Sequence, residues 1–180
     1  ASIALGLHIT VIRDGLAEAQ SVPGRMERIE NDRGALILVD YAHTSDALEK
    51  ALLAGRELQP ERVITLFGCG GDRDKTKRPA MGKIAASLSD LVVITSDNPR
   101  SEDPLTIIDE IRSGVRLSID RECLGDDLPH VAGKAFTVIP DRRMAIEEAV
   151  AALRSGDLLI VAGKGHEDYQ IIGKERTHFF

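Results

Sequence analysis

The 180 residues suffice for one well-cored domain, or one domain with part of another, and not for two complete catalytic domains. A net charge of −6, with 23 basic residues dispersed among 29 acidic ones, argues against a broad nucleic-acid surface, and the absence of tryptophan weakens any base-stacking proposal. Two cysteines without paired spacing, Cys69 and Cys123, point to a reducing compartment and no zinc site; no stretch approaches the ~18 apolar residues of a membrane span, so a cytoplasmic protein without membrane insertion is expected.

The chain opens on helical periodicity (Ile3, Leu7, Ile9, Ile12, Leu16) with no capping residue ahead of it, and Pro23 and Gly24 in "SVPGRMERI" interrupt that pattern. Residues 1–22 are therefore expected to be a helical tail and linker of a preceding domain, with a hinge at Pro23 and Gly24, and residues 23–180 a second domain. The two terminal phenylalanines, Phe179 and Phe180, add to the expectation that both ends belong to something longer. Beyond the linker, apolar runs alternate with helical patterns. "ALILVDY" (35–41) precedes a helix from about Thr44 to Glu57, "RVITLFG" (62–68) precedes one from about Arg78 to Leu88, and "LVVIT" (91–95) leads to a helix starting near Pro104. "FTVI" (136–139), a helix over 141–154 and "DLLIVAG" (157–163) continue the series, and "EDYQIIGKERTHF" reads as a hairpin turning at Gly173. Short, unalternating, β-branched runs suit strands buried on both faces. The expected fold is α/β: a Rossmann-like open, mostly parallel sheet with helices on both faces and a C-terminal hairpin, its ligands at the carboxyl ends of the strands.

The loops after those strands carry the polar residues. The first delivers Asp40 and His43; Asp40 could accept from a hydroxyl pair such as a ribose, or merely cap the helix that follows. The second, "GCGGDRDKTKR", offers glycines for close approach and cations including Arg73, without the order of a Walker A loop; an anion site and a solvated turn fit it equally. The third, "SDNPR", holds Asn98 and Arg100 stiffly around Pro99, so that the Arg100 fork suits a carboxylate and Asn98 a neutral hydrogen bond. The last, "GKGHE", presents Gly163 and places Glu167, a partner for an ammonium, near Lys164 and His166. On a parallel sheet these loops would converge into one cleft, suited to an amino acid with two carboxylates.

"VPGRMERI", "VDYAHTSDALE", "LFGCGGDRDKTKRPAMG", "TSDNPRSEDP" and "VAGKGHEDYQ" together, in this order, resemble the carboxyl-terminal domain of the muramyl ligases of the type that adds meso-diaminopimelate, from about Val22 onward. The resemblance implies an amide ligase that activates a carboxylate with ATP as an acyl phosphate. It implies that Asn98 and Arg100 hold the distal end of diaminopimelate with Asp97 and Pro99 at the pocket edge, that Arg73, Gly163 and Glu167 complete the site, and that Arg25, Asp40 and His43 reach ATP. The UDP-N-acetylmuramoyl dipeptide and most ATP and magnesium contacts would lie on other domains: the chain has no P-loop and no magnesium-binding carboxylate, so no catalytic or metal residue is assigned in it. Ser45 and Thr76 stand where the family usually has proline and often has glycine. Two further readings compete: a stand-alone amino-acid-binding module without catalysis, and a folylpolyglutamate synthase-like domain selecting glutamate, against which "DNPR" and "GKGHE" argue.

Overall fold

A computed structural model of the chain describes residues 3–18 and 22–178. Six strands form one sheet: β1 (Glu27–Ile29), β2 (Leu36–Asp40), β3 (Val63–Phe67), β4 (Leu91–Ile94), β5 (Ala135–Val138) and β6 (Leu158–Ala162), in the spatial order β1-β2-β6-β3-β4-β5. Only β1 runs antiparallel, along the outer edge of β2. Helices α2 (Ser45–Glu57), α3 (Lys77–Leu88), α4 (Pro104–Val115) and α5 (Arg142–Ala151) fill the crossovers, and β7 (Tyr169–Ile172) with β8 (Glu175–His178) make the expected hairpin.

The strands lack alternation because both faces are covered. Every residue of β3 and β4 is buried. Val63, Phe67, Val92, Ile94 and Ile160 pack in one cluster with Leu48 and Leu52 of α2, Met81 of α3 and Ile108 and Ile111 of α4. Ile64, Leu66, Val93 and Leu159 point the other way, against α5 and the 3-10 helix Gly125–His130 through Ala145, Ala149 and Leu128. Two-residue periodicity thus survives inside an apolar run as a choice between two cores.

Helix starts follow local chemistry. Thr44 Oγ1 accepts from Ala47 N (3.3 Å) ahead of α2, so the capping role considered for Asp40 belongs to Thr44. Asp103 caps α4 ahead of Pro104, and Asp141 caps α5. At the amino end the expectation of an uncapped helix from the first residues is corrected. Residues 3–6 form a turn in which Gly6 takes φ +73°, and the helix, α1 (Ile9–Ala17), begins after His8, whose Nδ1 accepts from Thr10 N. No residue of α1 is buried. Phe179 and Phe180 lie outside the described residues.

The expected hinge at Pro23 and Gly24 is anchored. Gly24 is buried, its N–H donates to Glu27 Oε2 (2.6 Å), and a Cβ there would lie 2.2 Å from His166 N, so the turn is packed on the 163–167 loop.

Candidate functional site

Because β2, β6, β3 and β4 are parallel neighbours, the loops leaving them emerge along one edge of the sheet. They enclose a cleft of about 490 Å³ lined by Tyr41, His43 and Thr44, by Gly70, Arg73, Asp74 and Lys77, by Asp97, Asn98 and Arg100, and by Gly163 and Glu167. Of the residues expected in an amino-acid site, Arg73, Asp97, Asn98, Arg100, Gly163 and Glu167 all line it, and Pro99 lies between two of them. A second cleft of similar volume lies across the 163–167 loop, walled by Val39, Ile146 and Val161. Its accessible lining is mainly apolar, although Arg142, Glu147 and Lys164 border it and Glu167 borders both clefts.

The loops interlock through backbone. Gly71 N donates to Asn98 O (2.9 Å), and a Cβ on Gly71 would stand 1.9 Å from Pro99 O, so only glycine fits. Gly163 takes φ +110°, with the position of an added Cβ 3.1 Å from Asp97 Oδ2. Beneath them Arg78, fully buried, binds Glu102 through both terminal nitrogens and Glu110 through Nη1 (2.8–3.0 Å), while Glu102 Oε1 also accepts from Asp72 N. Chiefly through Arg78, then Asp72 N–H, the Glu102 carboxyl is held down at about 2. This ion pair ties the second polar loop to the third.

Arg100 has φ +53°, left-handed for a side-chain-bearing residue. Its Nη1 donates to Gly71 O (2.9 Å), and among the described residues it forms no ion pair. Asn98 is almost fully enclosed: Oδ1 accepts from Lys164 Nζ (2.8 Å) and Ile171 N (2.9 Å), and Nδ2 donates to Glu167 Oε2 (3.2 Å). Glu167 Oε1 accepts from the Tyr41 hydroxyl (3.2 Å), and burial, with Glu167 next, pushes the Tyr41 phenol up. Asp97 is paired from behind by Lys164 (3.2 Å). The Lys164 ammonium is pushed down by burial. Asn98 therefore works chiefly inside the wall, which the motif alone did not reveal. Tyr41 escaped sequence reasoning as a site residue, because its role appears only when β2 and β6 are seen side by side.

The residues expected to reach ATP gather beside this cleft. The Arg25 guanidinium lies 4.8 Å from the Tyr41 ring centroid, and His43 meets the same ring edge-on at 4.8 Å. Asp40 accepts from Ala42 N through Oδ1 and from Met26 N through Oδ2, both 2.9 Å, holding the "PGRM" turn onto β2. Each of those oxygens keeps a further lone pair, and Arg25 and His43 are exposed, so the set fits one side of a nucleotide. No cluster of three or more His, Cys, Asp or Glu side chains suited to a metal ion occurs among the described residues.

The family model for "Mur ligase, glutamate ligase domain" matches residues 24–165. The chain belongs to the Mur ligase family. Among curated relatives of this Mur ligase domain, UDP-N-acetylmuramoyl-L-alanyl-D-glutamate--2,6-diaminopimelate ligase of Geobacter metallireducens is 52% identical over 99% of the chain and 35% of the relative. The ligase of the same name from Trichormus variabilis is 49% identical over 97% and 33%. A solved structure of a ligase with that name superposes with a TM-score of 0.74 at 36% identity, covering 99% of this chain and 34% of the other. FolC of E. coli in complex with ADP reaches 0.59 at 19% identity, over 89% and 33%, a likeness of fold alone. The chain thus spans about a third of the length of the curated relatives it matches.

Proposed function

We propose that this domain selects meso-diaminopimelate in an ATP-dependent ligase that joins it to UDP-N-acetylmuramoyl-L-alanyl-D-glutamate. The observation that carries the reading is the charge pattern of the cleft: an arginine in no described ion pair, Arg100, lines it together with two carboxylates, Asp97 and Glu167, both backed by Lys164, and with Arg73 on the adjoining loop. An amino acid whose far end carries both ammonium and carboxylate complements that pattern. Lysine would leave the Arg100 fork facing a bare methylene, and an unpaired charged donor is what rejects it. The names of the relatives, which join a 2,6-diaminopimelate, support the same choice.

In this reading Arg100 and Arg73 receive carboxylates and Glu167 and Asp97 receive ammonium groups, orienting the attacking amine toward the neighbouring nucleotide side. ATP, when bound, supplies the phosphoryl group that converts the muramoyl-dipeptide carboxylate into an acyl phosphate. Arg25 and His43 face it from this domain, and Asp40 holds their turn. Magnesium, most ATP contacts and the sugar nucleotide are assigned to the two thirds of the relatives outside the matched segment, and residues 1–22 to the end of the preceding domain. This reading assigns the ligase to the cytoplasm, where ATP is available to it.

The test is amide formation by the full-length ligase with meso-diaminopimelate and with L-lysine, in parent and Arg100→Ala enzymes. The parent is expected to use the diacid and reject lysine. The variant is expected to lose about two orders of magnitude in kcat/KM for the diacid, the loss of a charged hydrogen-bonded pair. Equal use of both amino acids by the parent would overturn the reading.

A further inference from the structure

We infer that the C-terminal hairpin is part of the amino-acid-selecting apparatus, with Lys164 and Gln170 as positioning residues for Asn98 and Arg100. The inference rests on the function proposed above and extends it to residues that contact no reacting atom. The hairpin, β7 and β8, lies beyond the segment matched by the family model, which ends at Gly165.

Three of the four residues of "DNPR" are tied to β7. Arg100 N donates to Ile171 O (3.0 Å) and Gly173 N donates to Arg100 O (2.7 Å), so the selector loop adds a short parallel bridge to the hairpin. Those two bonds engage both backbone polar groups of a residue in the left-handed region, where a side-chain-bearing residue persists only if its surroundings impose it. Gln170 Nε2 donates to Asp97 O (2.5 Å), and Ile171 N donates to Asn98 Oδ1.

Lys164 closes the arrangement. Its ammonium, on a side chain only 4% exposed, donates to Asn98 Oδ1 (2.8 Å) and to Tyr169 O (2.7 Å) and pairs with Asp97 Oδ1 (3.2 Å). With Lys164 and Ile171 N–H both donating to Oδ1, the Asn98 amide has one orientation: its nitrogen must face Glu167. A flipped amide would set NH2 against two donors and an oxygen against a carboxylate. Lys164 thus holds the Glu167 carboxylate in place both through Asn98 and directly, at 3.9 Å, and Gln170 fixes the loop from which Arg100 projects.

The experiment uses the full-length ligase with Lys164→Met, Gln170→Glu and, as a control on the exposed strand β8, Glu175→Ala. Met keeps an unbranched chain without a donor, and Glu sets a carboxylate against the Asp97 carbonyl. Both positioning variants are expected to raise KM for diaminopimelate by about tenfold or more, the loss of one or two buried hydrogen bonds, and to narrow the preference over lysine. The KM for ATP and for the muramoyl dipeptide, kcat at saturating amino acid, and all parameters of the control are expected to stay within about threefold. A purely structural role would move every KM and the melting temperature together. That result, or an unchanged diaminopimelate KM in either folded variant, overturns the inference. Should Lys164→Met fail to fold, Gln170→Glu decides. The parent's own choice of amino acid judges the proposed function separately.

Discussion

Arg100 combines a guanidinium proposed as the selector with a backbone conformation that side chains disfavour by about 1–2 kcal/mol. The two requirements separate on substitution. Arg100→Gly relieves the left-handed strain while adding chain entropy to the unfolded state, so its folding stability is expected within about 1 kcal/mol of the parent although diaminopimelate use is lost. Arg100→Val, β-branched, is expected to be less stable than Arg100→Gly by about 2 kcal/mol at equal loss of use. Denaturant titration beside the ligase assay reads both. Glu102 supplies a pH signature. Its carboxyl is held at about 2 against an ordinary 4.5, chiefly by Arg78. With the folded value depressed, the stability it contributes is complete above pH 4.5 and drains away as pH falls toward 2. Glu102→Gln is expected to be less stable at neutral pH and to show a flatter acid limb over that window, measured by thermal unfolding at stepped pH. A parallel acid limb in parent and variant would refute this.

Helices α3 and α4 approach each other most closely at two glycines. A Cβ on Gly114 would lie 1.9 Å from Pro79 O, and one on Gly82 would lie 2.2 Å from Ile111 O. The backbones therefore touch, which brings Arg78 of α3 under Glu102 and Glu110. Gly114→Ala, normally helix-favouring, is expected here to destabilise by about 1–3 kcal/mol through overpacking, and to weaken the loop ion pairs enough to raise the diaminopimelate KM. Elements of this kind show what the sequence made legible. β3, β4 and β6 were plain as unalternating apolar runs, and the turn at Gly173 followed from its residue type. β1 was not, because Glu27–Ile29 is three residues long and mostly exposed. The converging loops followed from a parallel sheet, whereas the left-handed φ of Arg100 and the internal duty of Asn98 did not. Both are imposed by partners 66 to 73 positions away in the chain, Lys164, Ile171 and Gly173, which local residue type does not encode.

At the scale of the molecule, the packed unit begins at the Pro23–Gly24 turn, since α1 buries nothing and Gly24 is wedged against His166. A chain starting at Val22 is expected to melt within a degree or two of the full 180 residues, α1 contributing almost no apolar burial. A drop of several degrees would show that α1 docks. The order β1-β2-β6-β3-β4-β5 has a second consequence, for synthesis. The strand that joins β2 to β3 is the last of the sheet to leave the ribosome. Until residue 162 has emerged, the nascent chain holds two half-sheets, each with an open edge, unable to knit together. A message cut short before β6 would therefore yield not a smaller domain but sticky halves, the kind of product that chaperones and proteases must clear.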